Sequence, residues 1–156
     1  MASFAKALTR KLLKIGGQDV DVVLPDPHLG GIVERGELFD STRIRIVRGV
    51  ANHCHQNAAT LWLKGRSEVI ATGYYLSIDG VWRQHSWGIT PSGIILDTHR
   101  GGKQYFGIRL DGIGALMFAE RECDFATVCR WVEKNPQRFA PIREEAILEI
   151  GTMSSR

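Results

Sequence analysis

The sequence predicts an α+β fold, in which one helix packs on an antiparallel β-sheet and further helices lie toward either end. Three observations carry that prediction. Residues 69–77, 81–89 and 94–98 are three β-rich runs separated by Asp79-Gly80 and Pro91-Ser92-Gly93, and Asp-Gly between two such runs signals a hairpin. Cys54–Leu63 sets Cys54, Asn57, Ala58 and Leu61 on one side at three- and four-residue spacing, a helix whose small residues let other backbones approach. Helical patterns also open and close the chain. With 156 residues, 44% of them hydrophobic, the chain can bury one proper core and is short for two, so residues 1–156 read as a single domain.

Residues 1–17 form a basic amphipathic helix, with Lys6, Arg10, Lys11 and Lys14 set among Phe4, Ala7, Leu8, Leu12 and Ile15. Ser3 is a plausible cap and Gly16-Gly17 a stop. The apolar stripe of residues 2–15 is expected to dock on the domain, membrane-surface contact or targeting being the alternative. Residues 19–24 alternate as a short strand, and Pro25-Asp26-Pro27-His28-Leu29-Gly30-Gly31 reads as a loop. Residues 32–41 are ambiguous. Residues 43–48 alternate arginine with branched residues, as a half-buried strand does. Beyond the hairpins, 99–103 is a glycine-rich loop and 104–110 a further strand. After Asp111-Gly112 the chain turns helical, with Phe125, Val128, Cys129 and Val132 spaced for one buried face before Pro136. Residues 141–150 are a helix or a closing strand, and 151–156 a frayed tail.

Twenty basic against 17 acidic side chains give a net charge of +3, which implies no specific nucleic-acid partner. No apolar run approaches the ~18 residues that span a bilayer, and no signal-peptide pattern opens the chain. Cys54, Cys123 and Cys129 cannot all pair, and Cys123 and Cys129 are expected on one helical stretch, too far apart to bridge. Reduced thiols suggest a cytoplasmic protein, with delivery as a secreted effector also compatible.

The residues with chemistry to offer come in an order. Cys54 begins a helix, where unpaired N–H groups and the helix dipole favour a thiolate. His85 lies in the middle strand and Asp97 near the end of the third, and adjacent antiparallel strands can set two such side chains side by side. Acyl transfer needs a nucleophile, an acid/base, a group that orients the base, and oxyanion donors. Cys54, His85 and Asp97 supply the first three, and the Cys54 N–H with Asn52 or Gln84 the fourth. His55, Asn57 and Trp87 are expected to line a substrate groove, Trp87 because it shares a strand face with His85.

A helix opening at Cys54, then strands carrying His85 and Asp97, resembles the papain-like and transglutaminase-core superfamily over roughly residues 50–110. Some bacterial proteins of unassigned function are similar around Cys-His-x-Asn-Ala, Gly-Tyr-x-Leu-Ser-x-Asp-Gly-x-Trp and His-Ser-Trp. The resemblance implies a papain-like fold and cysteine hydrolase or acyltransferase chemistry on a peptide, protein or small acyl substrate, with no cofactor. Two departures are visible: Arg48-Gly49-Val50-Ala51 holds no papain-type glutamine, and the transglutaminase Cys-Trp pair is Cys54-His55 here. Two competing readings are a metal site built on His53, His55 and His85 and a binding module without turnover.

Overall fold

The computed structural model describes the backbone of residues 2–153 and the side chains of residues 2–148. Its elements run α1 (Ala2–Ile15), β1 (Asp19–Asp21), α2 (Leu29–Arg35), β2 (Glu37–Phe39), β3 (Ile44–Ile46), α3 (Cys54–Leu63), β4 (Val69–Leu76), β5 (Val81–Ile89), β6 (Ile95–Asp97), β7 (Gln104–Leu110), α4 (Gly112–Glu122), α5 (Phe125–Lys134) and α6 (Pro136–Met153). The fold is α+β. Its sheet has the order β2-β7-β4-β5-β6-β3, with β1 added beside β5.

The centre of the sheet follows the expected hairpins. β4 and β5 pair antiparallel with Gly73 opposite His85, and β5 pairs antiparallel with β6 at Gly88 and Ile89. Gly80, at φ +81°, makes the Asp79-Gly80 turn, and the Asp79 carboxylate accepts the N–H of Val81. The sheet is not wholly antiparallel, however, because β1 joins β5 and β3 joins β6 in parallel. Both are three-residue strands brought in from the N-terminal third, so they reach the sheet through crossovers and no hairpin fixes their direction.

Strand alternation divides the core. Ile70, Tyr74, Leu76, Trp82, Phe106 and Ile108 face the helices, while Ala71, Tyr75, Trp87 and Tyr105 face inward with Phe39. The inner face curls upon itself. Tyr105 on β7 donates a hydrogen bond to Asp97 on β6 at 2.6 Å, although the sheet order places three strand spacings between them, about 14 Å on a flat sheet. Gly73 and Gly107 stand opposite each other where β4 meets β7, and a Cβ on either would come within 2.2 to 2.3 Å of the other strand's backbone.

α1 docks by Leu8 and Leu12, both wholly buried, and Lys11 donates to the Val33 carbonyl. Trp82, pointing away from His85, donates to the Gly16 carbonyl at 2.8 Å and anchors the end of that helix. Among the described residues no helix is long and apolar enough to cross a membrane.

Several local expectations need correction. Ser3 lies inside α1 rather than capping it. The proline-rich loop ends earlier than composition suggests, since α2 already begins at Leu29, and the strand expected over 19–24 stops at Asp21. Residues 43–48 yield only β3, an edge strand whose Ile46 is 41% exposed. Phe125 is 80% exposed at the start of α5, and Val128 and Val132 carry the buried face without it. Cys123 closes α4 and Cys129 lies within α5, so they do not share a helix; all three cysteines are free. Pro136 opens α6, where its missing N–H costs nothing. α6 continues through Met153, and residues 154–156 of the expected frayed tail lie outside the described residues.

Candidate active site

The site forms where one edge of β5 is left open. β1 pairs along residues 81–83 and β6 at residues 88 and 89, which leaves 84–87 hydrogen-bonded only to β4 on the other side. The first turn of α3 occupies that gap. There Cys54, His85, Asn52 and Gln84 line one cleft of about 480 Å³. Cys54 is partly exposed at the cleft, whereas His85 is 2% and Asp97 0% exposed.

His85 Nε2 meets Asp97 Oδ1 at 2.8 Å. Two further donors reach the carboxylate: the His99 N–H at 2.9 Å from Oδ1 and the Tyr105 hydroxyl at 2.6 Å from Oδ2. A buried carboxylate needs such donors to stay ionised. Burial works against its charge, but the hydrogen bond and charge of His85 prevail, with Tyr105 and His99 helping, and hold Asp97 below the usual carboxylate range. His85 responds in the opposite sense. Burial disfavours its cation, yet the hydrogen bond and charge of Asp97, with the sulfur of Cys54 nearby, raise it from its ordinary 6.5 to about 9. With Nε2 committed to Asp97, Nδ1 is the nitrogen left for the sulfur.

The approach of α3 is fixed by two further side chains. Asn57 donates to the Val50 carbonyl at 2.8 Å and to Thr98 Oγ1 at 3.1 Å, and accepts the Val50 N–H at 3.0 Å. It thereby ties the loop before Cys54 and the residue after Asp97 to one helix. Gly49 belongs to this knot, since a Cβ there would meet Thr98 Cγ2 at 2.6 Å and Asn57 Nδ2 at 2.7 Å. His55 leaves the helix on the far side from the cleft. Its Nδ1 pairs with Ser86 Oγ at 2.7 Å, Ser86 in turn donates to Thr72 Oγ1, and burial lowers the ring's pKa. Asn52 holds φ +61°, a left-handed turn that asparagine tolerates, immediately before the N-cap residue His53.

Three expectations about the groove change accordingly. His55 does not line the cleft. Asn57 touches it but is 9% exposed and spends its amide on the loop. Trp87 is 1% exposed and stacks behind His85 with ring centroids 6.1 Å apart, so it is a wall of the core rather than of the groove. Tyr105 was not expected at the site; a tyrosine alternating inward on a later strand was its only sequence signal. The histidines of the metal reading diverge: His53 bonds the Ala51 carbonyl, His55 bonds Ser86 and His85 bonds Asp97. Among the described residues no three His, Cys, Asp or Glu side chains converge as a metal ion requires.

No protein-family model matches the chain, and no curated protein or solved structure matches it either.

Proposed function

We propose that the protein is a cysteine-dependent hydrolase or acyltransferase of papain-like architecture, acting on an amide, ester or thioester. The observation that supports it most is a buried imidazole held by a carboxylate on Nε2, with a partly exposed thiol beside it at a helix start. In this reading the Cys54 sulfur attacks the substrate's carbonyl carbon. The electron pair of the carbonyl moves onto oxygen, which the Cys54 N–H and the Asn52 or Gln84 amide receive. As the tetrahedral adduct collapses, His85 delivers its proton to the leaving group and a thioester to Cys54 remains. His85, now neutral, takes a proton from water or an amine as that nucleophile attacks, and thiolate and imidazolium are restored.

Asp97 keeps its charge throughout. It accepts the Nε2–H, which presents Nδ1 to the reacting atoms, and it offsets the positive ring each time the proton returns.

The test is alkylation by iodoacetamide near pH ~6, where an ordinary thiol of pKa ~8.5 hardly reacts. Selective labelling of Cys54 over Cys129, slowed by at least about tenfold in His85→Ala, is the expected result. A Cys54 that labels no faster than Cys129, with or without His85, leaves a binding module on this fold as the better description.

A further inference from the structure

Charge around the cleft is one-sided. The cleft that holds Cys54 and His85 adjoins a second groove of about 460 Å³, and the two share Val50 and Asn57 in their lining. Arg48, Lys64 and Arg66 line the second groove, and Arg83 and Arg100 the first. No aspartate or glutamate lines either one. A chain with 20 basic and 17 acidic residues has no compositional reason to segregate them so completely. Among the described residues only Arg83 of the five has a carboxylate partner, Asp79, whose pairing leaves an exposed, weak surface ion pair. Arg48, Lys64, Arg66 and Arg100 are exposed and without one.

We propose that the substrate is an acidic peptide segment, laid across these two adjoining basic grooves with glutamate or aspartate side chains on both sides of the bond presented to Cys54. The assignment rests on the reading of Cys54 as nucleophile, because that chemistry demands a carbonyl and thereby favours a peptide over a nucleic acid, whose backbone has none to offer. The groove supplies several separated cations rather than one pocket, which suits repeated carboxylates along an extended chain. Long-range attraction of this kind acts on capture of the substrate and weakens with ionic strength, since the screening length is ~10 Å at 0.1 M salt.

The test uses two peptide vinyl sulfones that differ only in having glutamates or lysines about the reactive group. Labelling of Cys54 in the full chain is followed by mass, with iodoacetamide as the uncharged control. The glutamate probe is expected to label faster, and added salt to reduce its advantage. Arg48→Glu and Arg66→Glu are each expected to cut the ratio of the two rates by about two- to fivefold, whereas Arg10→Glu on the distant α1 leaves the ratio unchanged. Equal rates for both probes, in a protein whose Cys54 still reacts with iodoacetamide, overturn the substrate assignment and leave the nucleophile in place. Should iodoacetamide itself fail to label Cys54, the nucleophile is lost. The groove is then judged by anisotropy of a fluorescent glutamate-rich peptide, where salt-sensitive binding weakened by Arg66→Glu upholds it and no binding overturns it. A single-stranded oligonucleotide that displaces the peptide at lower concentration than unlabelled peptide does would also overturn it, in favour of nucleic acid.

Discussion

At the scale of single residues, the site is a row of proton-sharing groups in which each member settles the next. Tyr105 and the His99 N–H hold Asp97 ionised, Asp97 holds His85 protonated, and His85 faces the sulfur. Tyr105→Phe removes one hydrogen bond to a buried charge and is expected to lower stability by about 2 kcal/mol, measured by urea denaturation near neutral pH. Tyrosine and phenylalanine fill nearly the same space, so packing loss contributes little to that figure. The order Cys54, His85, Asp97 was legible in the sequence because each residue has a local setting of its own: a helix start, a middle strand, and the strand after a tight turn. Tyr105 was not legible. Its contact with Asp97 depends on how far the sheet curls, and curvature accumulates from twist and glycine placement over four strands rather than from any local pattern.

At the scale of elements, α3 is aimed by Asn57 more than by its own helix-forming tendency. The helix lacks a side-chain N-cap bond from His53, so the loop of residues 49–53 must be held from within the helix. Asn57→Ala should release it. Hydrogen exchange at the Val50 amide, whose N–H Asn57 accepts, is expected to quicken by at least about tenfold, and alkylation of Cys54 to slow, while the far helices keep their protection. Unchanged exchange at Val50 would show that the loop is held some other way. The sequence suggested that Asn57 lines a groove, because a polar residue facing the same side as Cys54 invites that reading. Three backbone and side-chain groups close in space but up to 41 positions distant in sequence claim the amide instead, and no pattern within one helix reveals such partners. The β4–β5–β6 order succeeded for the opposite reason, since tight turns make neighbours of consecutive strands.

At the scale of the whole molecule, the buried ion pair links stability to pH. His85 has its folded pKa raised, from 6.5 to about 9, so its contribution is fully present below 6.5 and is lost as pH rises through 9. Asp97 has its folded pKa lowered, so its contribution is present above 3.8 and fades as pH falls through the folded value. Asp97→Asn is therefore expected to destabilise most between pH 3.8 and 6.5, by about 3 kcal/mol as expected when a buried charge loses its partner. The gap from the wild type should narrow as pH rises from 6.5 through 9, and urea unfolding of both proteins at mildly acidic and alkaline pH measures it. A gap that stays constant would mean that His85 carries no charge in the folded protein. The helices and hairpins that build this environment were readable from periodicity and turn residues. The parallel attachment of β1 and β3 was not, because strands of three residues carry too little pattern to declare a partner.

The account stands most directly on the charge that Asp97 and Cys54 favour on the His85 ring. Titration of His85 by NMR, in the wild type and in Cys54→Ala, measures that effect without any substrate. The wild-type ring is predicted to lose its proton near 9, and the ring in Cys54→Ala at a lower pH, because one of the two partners that raise it is gone. A ring that titrates near its ordinary 6.5 in both proteins would contradict the account.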